Sequence, residues 1–273
     1  MINNAIKIFL VLMSAVLFSF NTASAKVLSP YKIVQDPAGV YVVEINTAKA
    51  KNKLQPYFVK EPTTNNNVYK STGARLIVNA GFFDPKNKKT VSYVTINGQV
   101  VLSPENNESL MNNVALKPFM DKILNRSEFR ILEDSNGKLT YDIAPHNDPV
   151  KEGYTIKHSL QAGPMLVPNL RLEEEFFVLK DKNGKIISES ASALHHFART
   201  GIGIRENNIY LFIVTTEAPM TLEELANLAK EWGMEKAMAF DGGGSTSFDS
   251  QELHVISEKN HSARKLKSFL ILK

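Results

Sequence analysis

The stretch from Ile209 to Ser247 constrains the fold more than any other. An apolar run, Ile209 to Val214, leads into a segment where Thr221 and Glu224 have the spacing of a capping box and Leu222, Leu225, Ala229 and Trp232 recur on one helical face. Gly233 stands where a C-terminal glycine cap belongs, and a second apolar run, Ala237 to Phe240, follows. Strand, helix and strand in so short a span predict a βαβ crossover, which needs a sheet for the helix to cover. The second strand runs straight into Asp241-Gly242-Gly243-Gly244-Ser245-Thr246-Ser247. Three successive glycines remove side chains and permit positive φ, so backbone N–H groups there can approach an anion closely.

The rest of the chain reads as strands and turns. Val40 to Ile45 and Arg75 to Ala80 are compact, rich in β-branched residues and bounded by turn formers, with a polar loop expected over Glu61 to Asn67 between them. Asn97-Gly98 between Ser92–Ile96 and Gln99–Leu102 suits a two-residue type I′ hairpin. Arg130 to Glu133 and Lys138 to Tyr141 suggest another hairpin, and the prolines of Ala144 to Pro149 suggest a loop. No repeat or low-complexity tract is present. The expected fold class is therefore α/β, of mixed α+β character: one domain with a β-rich mixed sheet and a βαβ unit near the C-terminus.

The N-terminus carries an address. Lys7, the apolar run from Ile8 to Phe20 and the small-residue exit Ala23-Ser24-Ala25 have the layout of a cleavable signal peptide over residues 1–25, leaving 26–273 as the mature domain. The run is short for a membrane span, and no later segment approaches that length, so no membrane association is expected after cleavage. The chain has no cysteine, which removes disulfides and thiolate metal sites and leaves stability to the core. A net charge of +4 is modest. The basic runs at Lys86, Lys88 and Lys89 and at Arg264, Lys265 and Lys267 lack the interleaved aromatics of a nucleic-acid platform, so they read as solvated charge.

Three further segments place polar residues and glycines at strand ends, where sites on sheets tend to lie. They are Asn79-Ala80-Gly81-Phe82-Phe83-Asp84, Gly163-Pro164-Met165-Leu166 and His196-Phe197-Ala198-Arg199-Thr200-Gly201-Ile202-Gly203. Arg199 is the natural candidate for a phosphate clamp, because a guanidinium pairs bidentately with anionic oxygens. Asn79 and Asp84 could equally serve only their own turns.

Together with Asp241-Gly242-Gly243-Gly244-Ser245-Thr246, these motifs resemble the phosphodiester glycosidase family in content and order, over roughly Arg75 to the C-terminus. The resemblance implies hydrolysis of a sugar-1-phosphodiester in an envelope or extracellular phosphoglycan, in the periplasm or the medium. It implies Asp241 and Glu217 as candidate carboxyls, with Arg199 and the N–H groups of Gly242, Gly243 and Gly244 on the phosphate. Asn79 and Ser245 or Thr246 would orient sugar hydroxyls or water, Gly81 and Gly163 would permit close backbone approach, and His195 or His196 could supply a proton. Thr215 to Pro219 is less glycine-rich than the family turn, so Glu217 could equally be a solvated carboxylate. No cofactor is required; a divalent cation could take oxygen ligands from Asp84, Asp241 and Glu217. A non-catalytic phosphoglycan-binding protein of the same fold is the alternative.

Overall fold

Strand alternation builds most of this protein. The computed structural model describes residues 29–51, 53–257 and 263–273, so the signal peptide expected over 1–25 lies outside the described residues. A six-stranded antiparallel sheet runs in the order Tyr31–Gln35, Val40–Ile45, Asn208–Val214, Arg199–Arg205, Lys236–Ala239, Met165–Val167. Its residues sort by parity. Val43, Ile45, Ile209, Leu211 and Ile213 face the main core, while Val40, Val42, Tyr210, Phe212 and Val214 face the other way. A sheet apolar on both faces must be covered on both.

The cover on the second face is the Leu222–Glu231 helix. Thr221 caps it, with both halves of the capping box formed, and Gly233 follows at φ +71°. Leu222, Leu225, Ala226 and Ala229 bury against Tyr210 and Phe212, and each buried leucine contributes roughly 1.5–3 kcal/mol. The flanking strands, Asn208–Val214 and Lys236–Ala239, are both antiparallel to Arg199–Arg205, which lies between them. They are therefore parallel to each other, and the predicted βαβ unit exists in split form, wrapping over a strand that precedes it in sequence.

Two further sheets close the main core. One has the order His254–Ile256, Ser247–Ser250, Leu76–Asn79, Leu266–Leu272, Leu54–Thr63. The other runs Gln99–Leu102, Val94–Ile96, Tyr154–Gln161, Ser127–Asp134, Leu139–Pro145. Both expected hairpins form, the first with Asn97 and Gly98 at φ +51° and +74° as a type I′ turn requires. Leu76, Val78, Leu270 and Leu272 enter the main core, while Ile77, Phe269 and Ile271 meet a second helix, Asn65–Thr72.

That helix corrects the sequence expectation of a loop over Glu61 to Asn67. The Leu54–Thr63 strand continues to Thr63, and Thr64 then caps the helix by accepting the Asn67 N–H. The asparagines that read as loop formers are held by a distant carboxylate: Asn65 and Asn66 donate to Asp249 at 2.6 and 2.9 Å. The proline loop is shorter than expected for a similar reason, since the Leu139–Pro145 strand pairs along its whole length with Ser127–Glu133. No helix among the described residues is long and apolar enough to cross a membrane.

Candidate active site

Antiparallel pairing gathers four distant segments at one end of the sheets. Phe269 pairs with Asn79, so the beginning of the last strand lies beside the end of Leu76–Asn79. Gly201 pairs with Ala239, so the beginning of Arg199–Arg205 lies beside the end of Lys236–Ala239. The two sheets are then stitched together where Asp241 N–H donates to the Ala80 carbonyl at 2.8 Å.

Asn79 holds this junction. Its Nδ2 donates to the Asp241 carbonyl at 2.5 Å, and its Oδ1 accepts from Thr200 Oγ1 at 2.8 Å and from the Ser247 N–H at 3.1 Å. Thr246 Oγ1 lies 3.2 Å from Thr200 Oγ1, closing the network. Asn79 and Thr246 are fully buried and spent on this network, so they shape the loop from beneath.

The glycines divide by function. A Cβ on Gly242 would stand 3.0 Å from the Ala198 carbonyl oxygen, and Gly243 has φ +59°, so the first needs close approach and the second a left-handed backbone. The expected convergence of three N–H groups on a phosphate is reduced. Gly243 N–H donates to Ala198 at 2.7 Å, and Gly242 N–H turns toward the Asp241 carboxyl. Gly244 N–H has no acceptor among the described residues. Gly81 and Gly163 are joints of the scaffold. A Cβ on Gly81 would press on Ser92 and the Gln161 carbonyl; Gly163, at φ +87°, leaves room for the Glu175 carboxylate.

Asp241 sits in a cleft of about 280 Å³ lined by Ala191, Ser192, Phe197, Asp241, Gly242, Gly243, Gly244 and Arg264. It stays partly open to solvent, and protein atoms crowd its other sides. Desolvation raises its carboxyl from 3.8 to about 6, although the Ser245 hydroxyl, the Arg264 charge and the Gly242 N–H all pull it down. Ser245 is fully buried beside it, close enough to ease its ionisation, yet its hydroxyl completes no hydrogen bond among the described residues.

Arg199 is placed differently from a phosphate clamp. It is buried, and its donors go to main-chain carbonyls: Nε to Met220 at 2.7 Å, Nη1 to Ala191 at 3.1 Å, and Nη2 to Ser192 and His195 at 2.7 and 2.6 Å. Four of five N–H groups are thereby committed. Burial lowers the guanidinium to about 10, against the pull of Glu189 and Glu224, so it stays charged at neutral pH. Its work is to fold the 191–195 turn, where Ala191 and Ser192 adopt φ +54° and +50°. Strain at two successive residues with side chains persists only where surroundings enforce it, and here the enforcing group is Arg199.

Glu217 is exposed, and it packs on Gly39 in the turn before the Val40–Ile45 strand. It is absent from the cleft lining, so the fold does not bring the two candidate carboxyls together there. His195 pairs with Glu189 and His196 with Glu224, each at 3.0 Å and both largely exposed outside the cleft. Asp84 braces its own turn by accepting the Lys86 N–H at 2.8 Å. Among the described residues, no three carboxylate or imidazole groups converge as a metal site would require.

Four lining residues carry no site reading in the sequence: Ala191 and Ser192, which belong to no motif, and Phe197 and Arg264. Phe197 reads there only as a neighbour of Arg199, although the residue is 43% exposed at the cleft. Arg264 reads there as solvated charge. Its place follows from pairing two residues later, where the Leu266–Leu272 strand begins, and composition carries no sign of it.

Three solved structures share this fold. The zebrafish N-acetylglucosamine-1-phosphodiester alpha-N-acetylglucosaminidase catalytic domain, auto-inhibited by its pro-peptide, matches with TM-score 0.61 at 15% identity over 89% of this chain and 81% of that one. A protein of Burkholderia pseudomallei described as exported matches with TM-score 0.63 at 14% identity, over 85% and 73% of the two chains. A Synechocystis protein matches with TM-score 0.59 at 15% identity over 89% of this chain, which spans only 61% of that longer one. No curated protein matches the chain in sequence. The sequence profile of one family, described as phosphodiester glycosidase, covers residues 72–273, including every motif that meets at the Asp241 loop. By that match the chain belongs to the phosphodiester glycosidase family.

Proposed function

We propose that this chain is an exported hydrolase that cleaves the bond between an anomeric carbon and phosphate in a sugar-1-phosphodiester of an envelope or extracellular phosphoglycan. The observation that carries the reading is the state of Asp241: a partly open carboxyl at a strand end, among glycines, raised to about 6 by desolvation. A carboxylate of that basicity is suited to take a proton from water near neutral pH. Family membership supplies the reaction class, and the layout of residues 1–25 supplies the compartment.

One carboxyl suffices for the chemistry. The water oxygen bonds to the anomeric carbon while the bond from that carbon to the phosphate oxygen breaks. The electron pair leaves with the phosphate, and the water proton passes to Asp241. Ordinary glycosidases protonate an alkoxide leaving group with a second carboxyl. A phosphate monoester is stable as an anion, its second ionisation lying near 6, so it leaves without that help. The distance between Glu217 and the cleft is then no obstacle. Phe197 offers its exposed ring as a platform for the apolar face of the sugar, and Gly244 offers its N–H to the substrate.

The test is release of free sugar from a panel of sugar-1-phosphodiesters by the mature protein, beginning with the methyl phosphodiester of N-acetylglucosamine 1-phosphate. Wild type should turn over at least one member and Asp241→Asn none at a comparable rate. Tight binding without turnover across the panel would assign the chain to the non-catalytic alternative.

A further inference from the structure

The family motif supplies an arginine, Arg199, whose donors are consumed by its own scaffold. A phosphodiester cleft still needs a cation, because the phosphate gains a full charge as the anomeric bond breaks. The cleft contains one. Arg264 lines it together with Asp241 and the triple glycine, and it is exposed. Its carrier is rigid one step away: the Leu266–Leu272 strand pairs on both sides, and Ser268 Oγ accepts the Gly81 N–H at 3.0 Å, tying the strand to the loop after Asn79.

We propose that Arg264 is the residue that contacts the phosphodiester and stabilises the charge developing on the leaving phosphate, while Arg199 acts only by positioning the 191–195 turn. The assignment rests on the hydrolase reading for its chemistry, but its core, recognition of a phosphate by Arg264, can be tested without turnover. The phosphate passes from about one negative charge to about two, so a cation beside it binds the transition state more tightly than the ground state. Loss of Arg264 should therefore lower kcat more than it raises KM. It should also weaken inhibition by the phosphate product.

The experiment compares wild type, Arg264→Gln, Arg264→Lys and Lys267→Gln on the methyl phosphodiester of N-acetylglucosamine 1-phosphate, with inorganic phosphate as inhibitor. Lys267 is the charge control, since its Nζ donates to the Lys60 carbonyl at 2.6 Å and it does not line the cleft. Arg264→Gln is expected to lower kcat about 100-fold with KM changed less than about threefold, and Arg264→Lys to recover part of the loss. Lys267→Gln should match wild type. Arg264→Gln within about twofold of wild type in kcat and in phosphate inhibition would overturn the proposal. If wild type hydrolyses nothing, the hydrolase reading fails, and calorimetric titration of inorganic phosphate decides this one. Affinity lost in Arg264→Gln alone would uphold it, and equal affinity in all four proteins would overturn it.

Discussion

Two carboxyls in this molecule, Asp241 and Glu175, share a physical predicament and answer it in opposite ways. Burial raises both above the ordinary carboxylate range. Glu175 is surrounded by partners: the Ser127 N–H at 2.9 Å, the Ser127 hydroxyl at 2.7 Å, the Met165 N–H at 3.0 Å and Arg171 at 3.5 Å. Arg126 lies beside it, donating to its carbonyl and stacking over the Phe177 ring. Asp241 has its own loop, an incomplete contact with Ser245 and the charge of Arg264. A glycine-bearing motif lies against each, Gly163-Pro164 beside Glu175 and Gly242 to Gly244 beside Asp241, yet one marks a joint between sheets and the other a cleft. Satisfaction of hydrogen-bonding capacity is what separates them, because an under-satisfied buried group keeps capacity to act on a ligand.

The largest effect expected from this contrast is catalytic. Asp241→Asn should lower sugar release by roughly 10²–10⁴-fold, as removal of a general base does. The same substitution should stabilise the fold by about 1–3 kcal/mol at pH 7, measured by urea unfolding, because ionising a carboxyl whose folded value is about 6 costs the folded state. The sign follows from the shift. The contribution of Asp241 to stability is fully present below 3.8 and is lost as pH rises through about 6, while activity should rise over that same upper range. A variant that loses both activity and stability would break the contrast.

Glu175→Ala is expected to do the reverse. It leaves the Ser127 N–H and hydroxyl and the Met165 N–H without their acceptor and buried Arg126 without its neighbouring negative charge, which should cost about 3–5 kcal/mol of unfolding free energy. Catalysis per folded molecule should change little. Phe197→Ala should raise KM about tenfold with kcat held within about threefold, as loss of a stacking platform predicts. The smallest effect should come from Glu217→Gln, within about twofold of wild type in kcat/KM. A loss of a hundredfold there would restore Glu217 as a catalytic carboxyl and undo the single-carboxyl scheme.

Local rules made the Leu222–Glu231 helix and the Asn97-Gly98 hairpin legible, since cap, face and turn residues all lie within a few positions of one another. The Asn65–Thr72 helix was illegible because its asparagines are satisfied by Asp249, far along the chain. The split crossover was legible as strand, helix and strand, but the strand lodged between them came earlier in the sequence. At the site, a motif could name Asp241 as a candidate and could name Arg199 as a residue type. It could not say where the guanidinium donors would go, nor that a plain arginine before the last strand would face the same cleft.

The Asn79 side chain has one more implication, for the order of events in time. Its three bonds reach residues 121, 162 and 168 positions away, so each closes a long loop of chain and the full set needs the chain folded as far as Ser247. Pairings of such separation are slow to assemble. The Asp241 loop thus belongs among the late-forming parts of the fold, and its cleft takes shape only once these long-range bonds are in place.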